Sequence, residues 1–350
     1  MRMRIAQVAP LCESVPPKLY GGTERVVAYL TEELVRLGHQ VTLFASGDSN
    51  TSATLVAACR EALRLGACRD HLAPHIWMLE QVAARAREFD VIHFHISPLH
   101  FPVMRRLSNA AHVTTLHGRL DLEELRPLYR EFADMPVVSI SDAQRQPLPE
   151  AGWISTVHHG LPRDLFTFQP AADGYLAFLG RISPEKRVDR AIAIATACRV
   201  PLRIAAKIDE ADREYFERDI APLLDNRLVE FIGEIGERDK GAFLGGAKAL
   251  LFPIDWPEPF GLVMIEAMAC GVPVIAFPGG SVEEIIEQGV NGFVVGSIEE
   301  ASYAVRQIDR IDRRKCRERF ERRFTARRMA TEYVNVYREL AATRSRPPVG

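Results

Sequence analysis

The sequence predicts an α/β protein made of two parallel-sheet halves. Along most of the 350 residues, short apolar runs alternate with segments of helical periodicity, the pattern of strands covered by helices. The alternation breaks near residues 160–174, where Gly160, Pro162, Pro170, Asp173 and Gly174 cluster, and then restarts. The length suffices for two domains, each with its own core.

Composition narrows the class. Hydrophobic residues make up 47% and charged residues 26%, the balance of a folded cytoplasmic protein. A net charge of −2 exerts no general pull on nucleic acid, so no such partner is expected. No apolar run reaches the roughly 20 residues of a membrane span. The apolar stretch after Arg4 is too short for a signal peptide and reads as a first buried strand. Six scattered cysteines without a Cys-x-x-Cys pair read as reduced thiols. Cys68, His71 and His75 lack a fourth ligand, and no metal site is expected there.

In the first half, strands are expected at Ile5–Ala9, Val41–Ala45, Val91–Phe94, Val113–Leu116, Val137–Ile140 and Ser155–Val157. A helix is expected from Thr23 to Leu37, because Val26, Val27, Leu30, Leu34 and Leu37 recur at helical spacing. Thr23 is its expected cap, and Gly38 its left-handed stop. Residues 46–75 carry no clear pattern. The second half predicts strands Tyr175–Leu179, Leu202–Ala206, Val229–Ile232, Ala249–Phe252, Val274–Ala276 and Phe293–Val295. Helices are expected at Asp189–Arg199, 210–224, Glu237–Leu244, Gly261–Ala269 and Val282–Gln288. From Ser297 to Ala342 the chain is helical and basic, with eleven Arg or Lys between Arg306 and Arg328. That face is either solvated or in contact with an anionic membrane surface.

Three features can carry chemistry. Gly21 and Gly22 stand at a helix start, where backbone amides can approach a phosphate. On its own this is equally a turn, and neither the dinucleotide fingerprint nor the P-loop is present. Gly180-Arg181-Ile182-Ser183-Pro184-Glu185-Lys186 follows a strand, and open α/β sheets bind ligands at such strand ends. Arg181 and Lys186 could together neutralise a diphosphate, or could be two solvated cations. Glu258-Pro259-Phe260-Gly261 leads into a helix carrying Glu266 among apolar neighbours, where a carboxylate needs a partner. Two carboxylates eight apart suit the hydroxyls of an extended sugar or ribose ligand.

These elements, in this order, resemble glycosyltransferase family four. Glu258 and Glu266 match its Glu-x7-Glu element, residues 180–186 its Gly-Arg-x-Ser-Pro-Glu-Lys loop, and Gly21-Gly22-Thr23-Glu24 its N-terminal Gly-Gly-x-Glu. The resemblance implies a GT-B fold: two Rossmann-like domains facing across a cleft, with a C-terminal helix crossing back to the first. It divides the chain into an acceptor domain (1–165), a nucleotide-sugar domain (170–315), a returning helix (316–342) and a disordered tail (343–350). It further implies a retaining hexosyltransferase needing no metal or other cofactor. Arg181 and Lys186 would hold the donor diphosphate, Glu266 the ribose, and Glu258 the transferred sugar. His117 would meet the sugar or its phosphate. Gly21 and Gly22 would lie near the phosphates and acceptor, and Phe260, Gly261 and Gly280 would shape the donor pocket.

The chain departs from the family pattern in three places. Arg187 stands where Gly often follows the lysine, His159 replaces Asn before Gly160, and Pro253-Ile254-Asp255-Trp256-Pro257 replaces a commoner Pro-Ser. A UDP-glucose-like donor is favoured over GDP-mannose. The acceptor, a glycolipid, polysaccharide intermediate or small metabolite, stays open, and the enzyme is expected in the cytoplasm, free or at the inner face of the membrane. A nucleotide-sugar epimerase or hydrolase, or a non-catalytic sugar-nucleotide binder, would share the phosphate loop; a nicotinamide dehydrogenase lacks its fingerprint. His93 and His95, two apart on a strand, could bind a metal or fill a polar core.

Overall fold

The computed structural model describes residues 2–18, 21–66, 68–96, 98–107 and 110–344, with residues 343 and 344 by backbone alone. The chain divides into two units, residues 1–162 with 326–350, and residues 163–325.

The first unit is a seven-stranded parallel sheet of order β3-β2-β1-β4-β5-β6-β7. Its strands are β1 (Arg4–Val8), β2 (Gln40–Ser46), β3 (Thr54–Cys59), β4 (Val91–Phe94), β5 (His112–Thr115), β6 (Val137–Ser139) and β7 (Trp153–Thr156). Ile5, Ala6, Val8, Ile92 and Phe94 are fully buried, as strands covered on both faces require. The helices are α1 (Gly22–Arg36), α2 (Leu72–Ala84), α3 (Phe101–Met104) and α4 (Leu125–Glu131). Gly38 does close the first helix, with φ +86°. Thr23 does not cap it: the helix begins at Gly22 after an extended Gly21, with no side-chain cap. The unreadable stretch holds β3, a strand at the sheet edge without alternation, and the start of α2.

The second unit is a six-stranded parallel sheet of order β10-β9-β8-β11-β12-β13. Its strands are β8 (Tyr175–Ile182), β9 (Leu202–Ile208), β10 (Val229–Gly233), β11 (Ala247–Phe252), β12 (Val274–Ala276) and β13 (Gly292–Val294). Its helices are α5 (Val188–Cys198), α6 (Arg213–Tyr215), α7 (Glu237–Gly245), α8 (Leu262–Ala269), α9 (Val282–Ile285), α10 (Ile298–Gln307) and α11 (Arg313–Arg323). Residues 210–224 are not one regular helix. α6 gives way to wider and tighter turns around Pro222, which supplies no backbone N–H. The helix expected to reach Gln288 stops at Ile285, because Ile286 is extended.

The basic C-terminal stretch is three helices. α11 belongs to the second unit, and only the last helix, α12 (Ala326–Arg344), joins the first, where Tyr333 and Tyr337 are buried. The returning helix therefore starts at Ala326, ten residues later than expected. Its backbone runs on through Arg344, and residues 345–350 of the expected tail lie outside the described residues. Among the described residues, no helix is long and apolar enough to cross a membrane.

Candidate active site

In the second unit the candidate residues collect where the strand order reverses. β8 and β11 are neighbours, with β9 and β12 on opposite sides, and ligands of open α/β sheets bind at the carboxyl ends beside such a point. Arg181 is not in the loop: it is the penultimate residue of β8 and pairs in register with Lys207 of β9. Its guanidinium donates to Glu185 at 2.8 Å and lies 3.6 and 3.7 Å from Asp209 and Asp212. Lys207 binds Asp209 at 2.7 Å and is a cation that sequence reasoning missed. Only the register of two parallel strands places it beside Arg181.

Lys186 ends a tight turn, Pro184–Lys186, and its ammonium donates to Glu258 Oε2. Trp256 Nε1 donates to the same oxygen at 3.1 Å, and the ammonium lies 4.9 Å from the Trp256 ring centroid. Arg187 then takes a left-handed conformation, φ +54°. That conformation accounts for a glycine preference at this position. Arg187 donates to Asp189 at 2.7 Å and to Asp255 at 2.9 Å. The Asp255 amide donates to the Glu185 carbonyl at 2.8 Å. The loops after β8 and β11 are thus tied into one body, and the Asp255-Trp256 insertion is the tie.

Gly280 braces this body from the loop after β12. Its φ is +57°, and a Cβ there would lie 2.0 Å from the Glu258 carbonyl oxygen. No side chain fits without moving Glu258. Ser281 N donates to the Glu258 carbonyl at 3.0 Å, and Ser281 Oγ to the Phe260 carbonyl at 2.7 Å. The Phe260 ring is buried edge-on to Phe324, 6.2 Å between centroids, so it packs in the core. Gly261, φ +75°, starts α8.

Glu266 has a structural partner. Its side chain is only 3% exposed and accepts from Lys240 Nζ of α7 at 2.8 Å. Glu258 and Glu266 stand in separate ion pairs, with Lys186 and Lys240.

In the first unit His117 follows β5, and its Nε2 lies 2.9 Å from His95 Nδ1. The His159 ring stacks on it, 5.2 Å between centroids at 18°. His95 Nε2 meets Gln7 Oε1 at 2.7 Å. His93 is engaged at both nitrogens, by Tyr337 and Thr115, each at 2.7 Å. Both rings of the His93/His95 pair are therefore occupied by hydrogen bonds, which removes the metal reading. Burial pushes His117 down to about 3, and His93, His95 and His159 well below the usual histidine range. All four are neutral at pH 7. Gly21 and Gly22 open α1 as expected, but Glu24 is buried beside them and burial pushes its carboxyl up. Tyr20 lies outside the described residues.

Part of the basic C-terminal run works inward, while Arg306, Arg310, Arg314, Lys315, Arg322 and Arg327 are exposed. Arg313 donates to the carbonyls of Gln169, Ala247 and Gly245 at 2.6–2.8 Å. Arg317 donates to those of Phe166, Ala269 and Arg163 at 2.6–2.9 Å. Within the first unit, Arg328 donates to the carbonyls of His158 and His159. Arg313, Arg317 and Arg328 thus bind backbone carbonyls, whereas the exposed members of the run fit the solvated face.

Residues 20–209 match the family model described as Glycosyltransferase Family 4, and residues 167–326 the one described as Glycosyl transferases group 1. The chain is 23% identical to the phosphatidyl-myo-inositol mannosyltransferase of Mycobacterium leprae, over 99% of this chain and 100% of that protein. Among solved structures it resembles AviGT4, a glycosyltransferase involved in avilamycin A biosynthesis. The TM-score is 0.74 at 25% identity, over 97% of this chain and 98% of that one. An Anabaena protein, HepE, crystallised with UDP and glucose, superposes with a TM-score of 0.72 at 19% identity, over 97% and 100%. The two Rossmann-like sheets are those of GT-B glycosyltransferases. With residues 20–209, more than half of the chain, inside the family model and its fold shared over nearly the whole length, the chain belongs to glycosyltransferase family 4.

Proposed function

We propose that this transferase moves a hexose, with retention, from a nucleoside diphosphate sugar of the UDP-glucose type to a hydroxyl of a carbohydrate or lipid-linked acceptor. One observation carries the reading. Lys186 and Glu258 meet at the β8/β11 reversal, joining the phosphate-loop cation to the sugar-directed carboxylate. An ammonium carries three donors and Glu258 engages one, which leaves donors for a phosphate. As the diphosphate departs, negative charge grows on its oxygens, and Arg181 and Lys186 are fixed to meet it without a metal. Glu258, oriented by Trp256, is left to accept from sugar hydroxyls, and Glu266 from the ribose. The UDP preference is supported by the Anabaena neighbour solved with UDP and glucose. A mannosyl donor is the alternative that the mycobacterial mannosyltransferase raises.

Thermal-shift binding of UDP, GDP and ADP, with EDTA and then with magnesium, tests the donor site. Stabilisation by one diphosphate in EDTA is expected. Stabilisation by none, or by magnesium complexes only, would remove the proposal. Proton NMR of the anomeric centre in the first product tests retention.

A further inference from the structure

Within the second unit, one carboxylate stands between two cations at the ends of β8 and β9. Along β9, Leu202, Ile204 and Ala206 enter the core that Phe178 and Ile182 of β8 share. Side chains of a strand alternate, so Arg181 and its register partner Lys207 lie together on the opposite face of the sheet. β9 ends at Ile208, and Asp209 is the first residue beyond it. One Asp209 oxygen lies 2.7 Å from the Lys207 ammonium, and the other 3.6 Å from the Arg181 guanidinium. All three side chains are partly exposed, at the strand ends where open sheets bind ligands.

Anions exceed cations here. Arg181 also holds Glu185 at 2.8 Å and lies 3.7 Å from Asp212, so three carboxylates face two cations. Asp212 registers the excess. Burial pushes its carboxyl up, and Glu185 and Asp209 add to that push against the pull of Arg181. Its Oδ2 is buried with no hydrogen bond among the described residues. Two cations bridged by one carboxylate are also spaced for two oxygens of a phosphate. Exchange would keep both cations paired and relieve the excess. It would return Asp209 to water at small cost, because a partly exposed ion pair contributes little.

We propose that Lys207 is a third cation of the donor's diphosphate site, and that Asp209 holds the place of a phosphate until the donor displaces it. This rests on the reading of Arg181 as a diphosphate-binding residue. The family resemblance assigns Lys207 no role; its place follows from strand register alone. Lys207, Arg181 and Lys186 then alternate with Asp209, Glu185 and Glu258 along the strand ends. Asp209 opposes binding in this arrangement, so removing its charge tightens the site. A carboxylate that merely held Lys207 in position would, on removal, weaken it.

The test is calorimetry of the full chain in EDTA. UDP, GDP and ADP are titrated into wild type, and the diphosphate that binds is titrated into the folded variants. Lys207→Met is expected to bind it roughly ten-fold more weakly. Asp209→Asn is expected to bind it about two- to five-fold more tightly. Glu230→Gln removes the same charge from a carboxylate paired with Arg203 and should bind like wild type. An Asp209→Asn affinity at or below that of wild type overturns the displaced carboxylate, as does an equal gain in Glu230→Gln. Unaltered affinity in Lys207→Met removes the third cation. If Lys207→Met does not fold, Asp209→Asn, which keeps the side chain's size, decides alone. A wild type that binds none of the three diphosphates removes the donor-site reading and this assignment with it. Wild-type binding with unaltered variants removes this assignment alone.

Discussion

Lys186 and Glu258 are 72 residues apart in sequence and joined as an ion pair, with side chains 17% and 10% exposed. Each is the other's principal partner in the ligand-free protein. Removing the ammonium leaves a mostly buried carboxylate whose remaining side-chain donor, among the described residues, is Trp256.

Lys186→Ala is accordingly expected to abolish transfer and to lower stability by about 1–3 kcal/mol, the penalty of an under-satisfied buried acceptor. Nucleoside diphosphate affinity should fall at least ten-fold by calorimetry. Near-wild-type turnover in the folded variant would remove the phosphate assignment.

Gly280→Ala should damage the site without touching a ligand. Its Cβ would lie 2.0 Å from the Glu258 carbonyl oxygen at a φ that side chains rarely adopt. A loss on the order of 3 kcal/mol by urea denaturation is expected, together with loss of turnover. A variant as stable and active as wild type would show that the Glu258 loop moves freely.

Lys240 and Glu266 form a second buried pair, and a double-mutant cycle can separate its terms. Lys240→Met strands a carboxylate that is 3% exposed and should cost about 3 kcal/mol or more. Adding Glu266→Gln should recover part of that loss. Equal stabilities of the single and double variants would mean that Glu266 finds another donor.

His93, His95, His117 and His159 predict lability to mild acid. Their folded values lie below the ordinary histidine value, so the unfolded chain binds more protons between the two. Stability is whole above about pH 6.5 and falls as pH drops from there toward the depressed folded values. Each such histidine adds up to about 1.4 kcal/mol per pH unit to the slope. The titratable and charged groups beside them are Tyr333, Tyr337, Arg328 and His158. Urea midpoints at pH 7, 6 and 5 should fall steadily, and a flat series would contradict the neutral assignment.

Much of this architecture was legible before the structure. The strands showed as short apolar runs, because parallel strands buried on both faces leave little room for polar residues. The phosphate loop, the two glutamates and His117 stood out by residue type and order. What could not be read depended on register and on distant partners. β3 lacks alternation, since an edge strand of small apolar residues has no pattern to separate it from a loop. Arg187, at a position where the family often has Gly, hinted at its left-handed backbone only through that resemblance. The basic run gave no sign of which of its arginines turn inward to backbone carbonyls, because charge in sequence carries no direction.

The sequence by itself determined two α/β halves, the identity of the candidate donor groups and their order along the chain. Those follow from local periodicity and from residue chemistry, which adjacent residues carry within themselves. Only the tertiary structure decided that Lys186 meets Glu258, that Glu266 meets Lys240, that Lys207 stands beside Arg181, and that Gln7 faces both His95 and Tyr337. Each of these is a pairing between segments brought together by strand order and by the return of the last helix. A hydrogen bond is set by distance and direction in space, and neither is written in the spacing of residues along the chain.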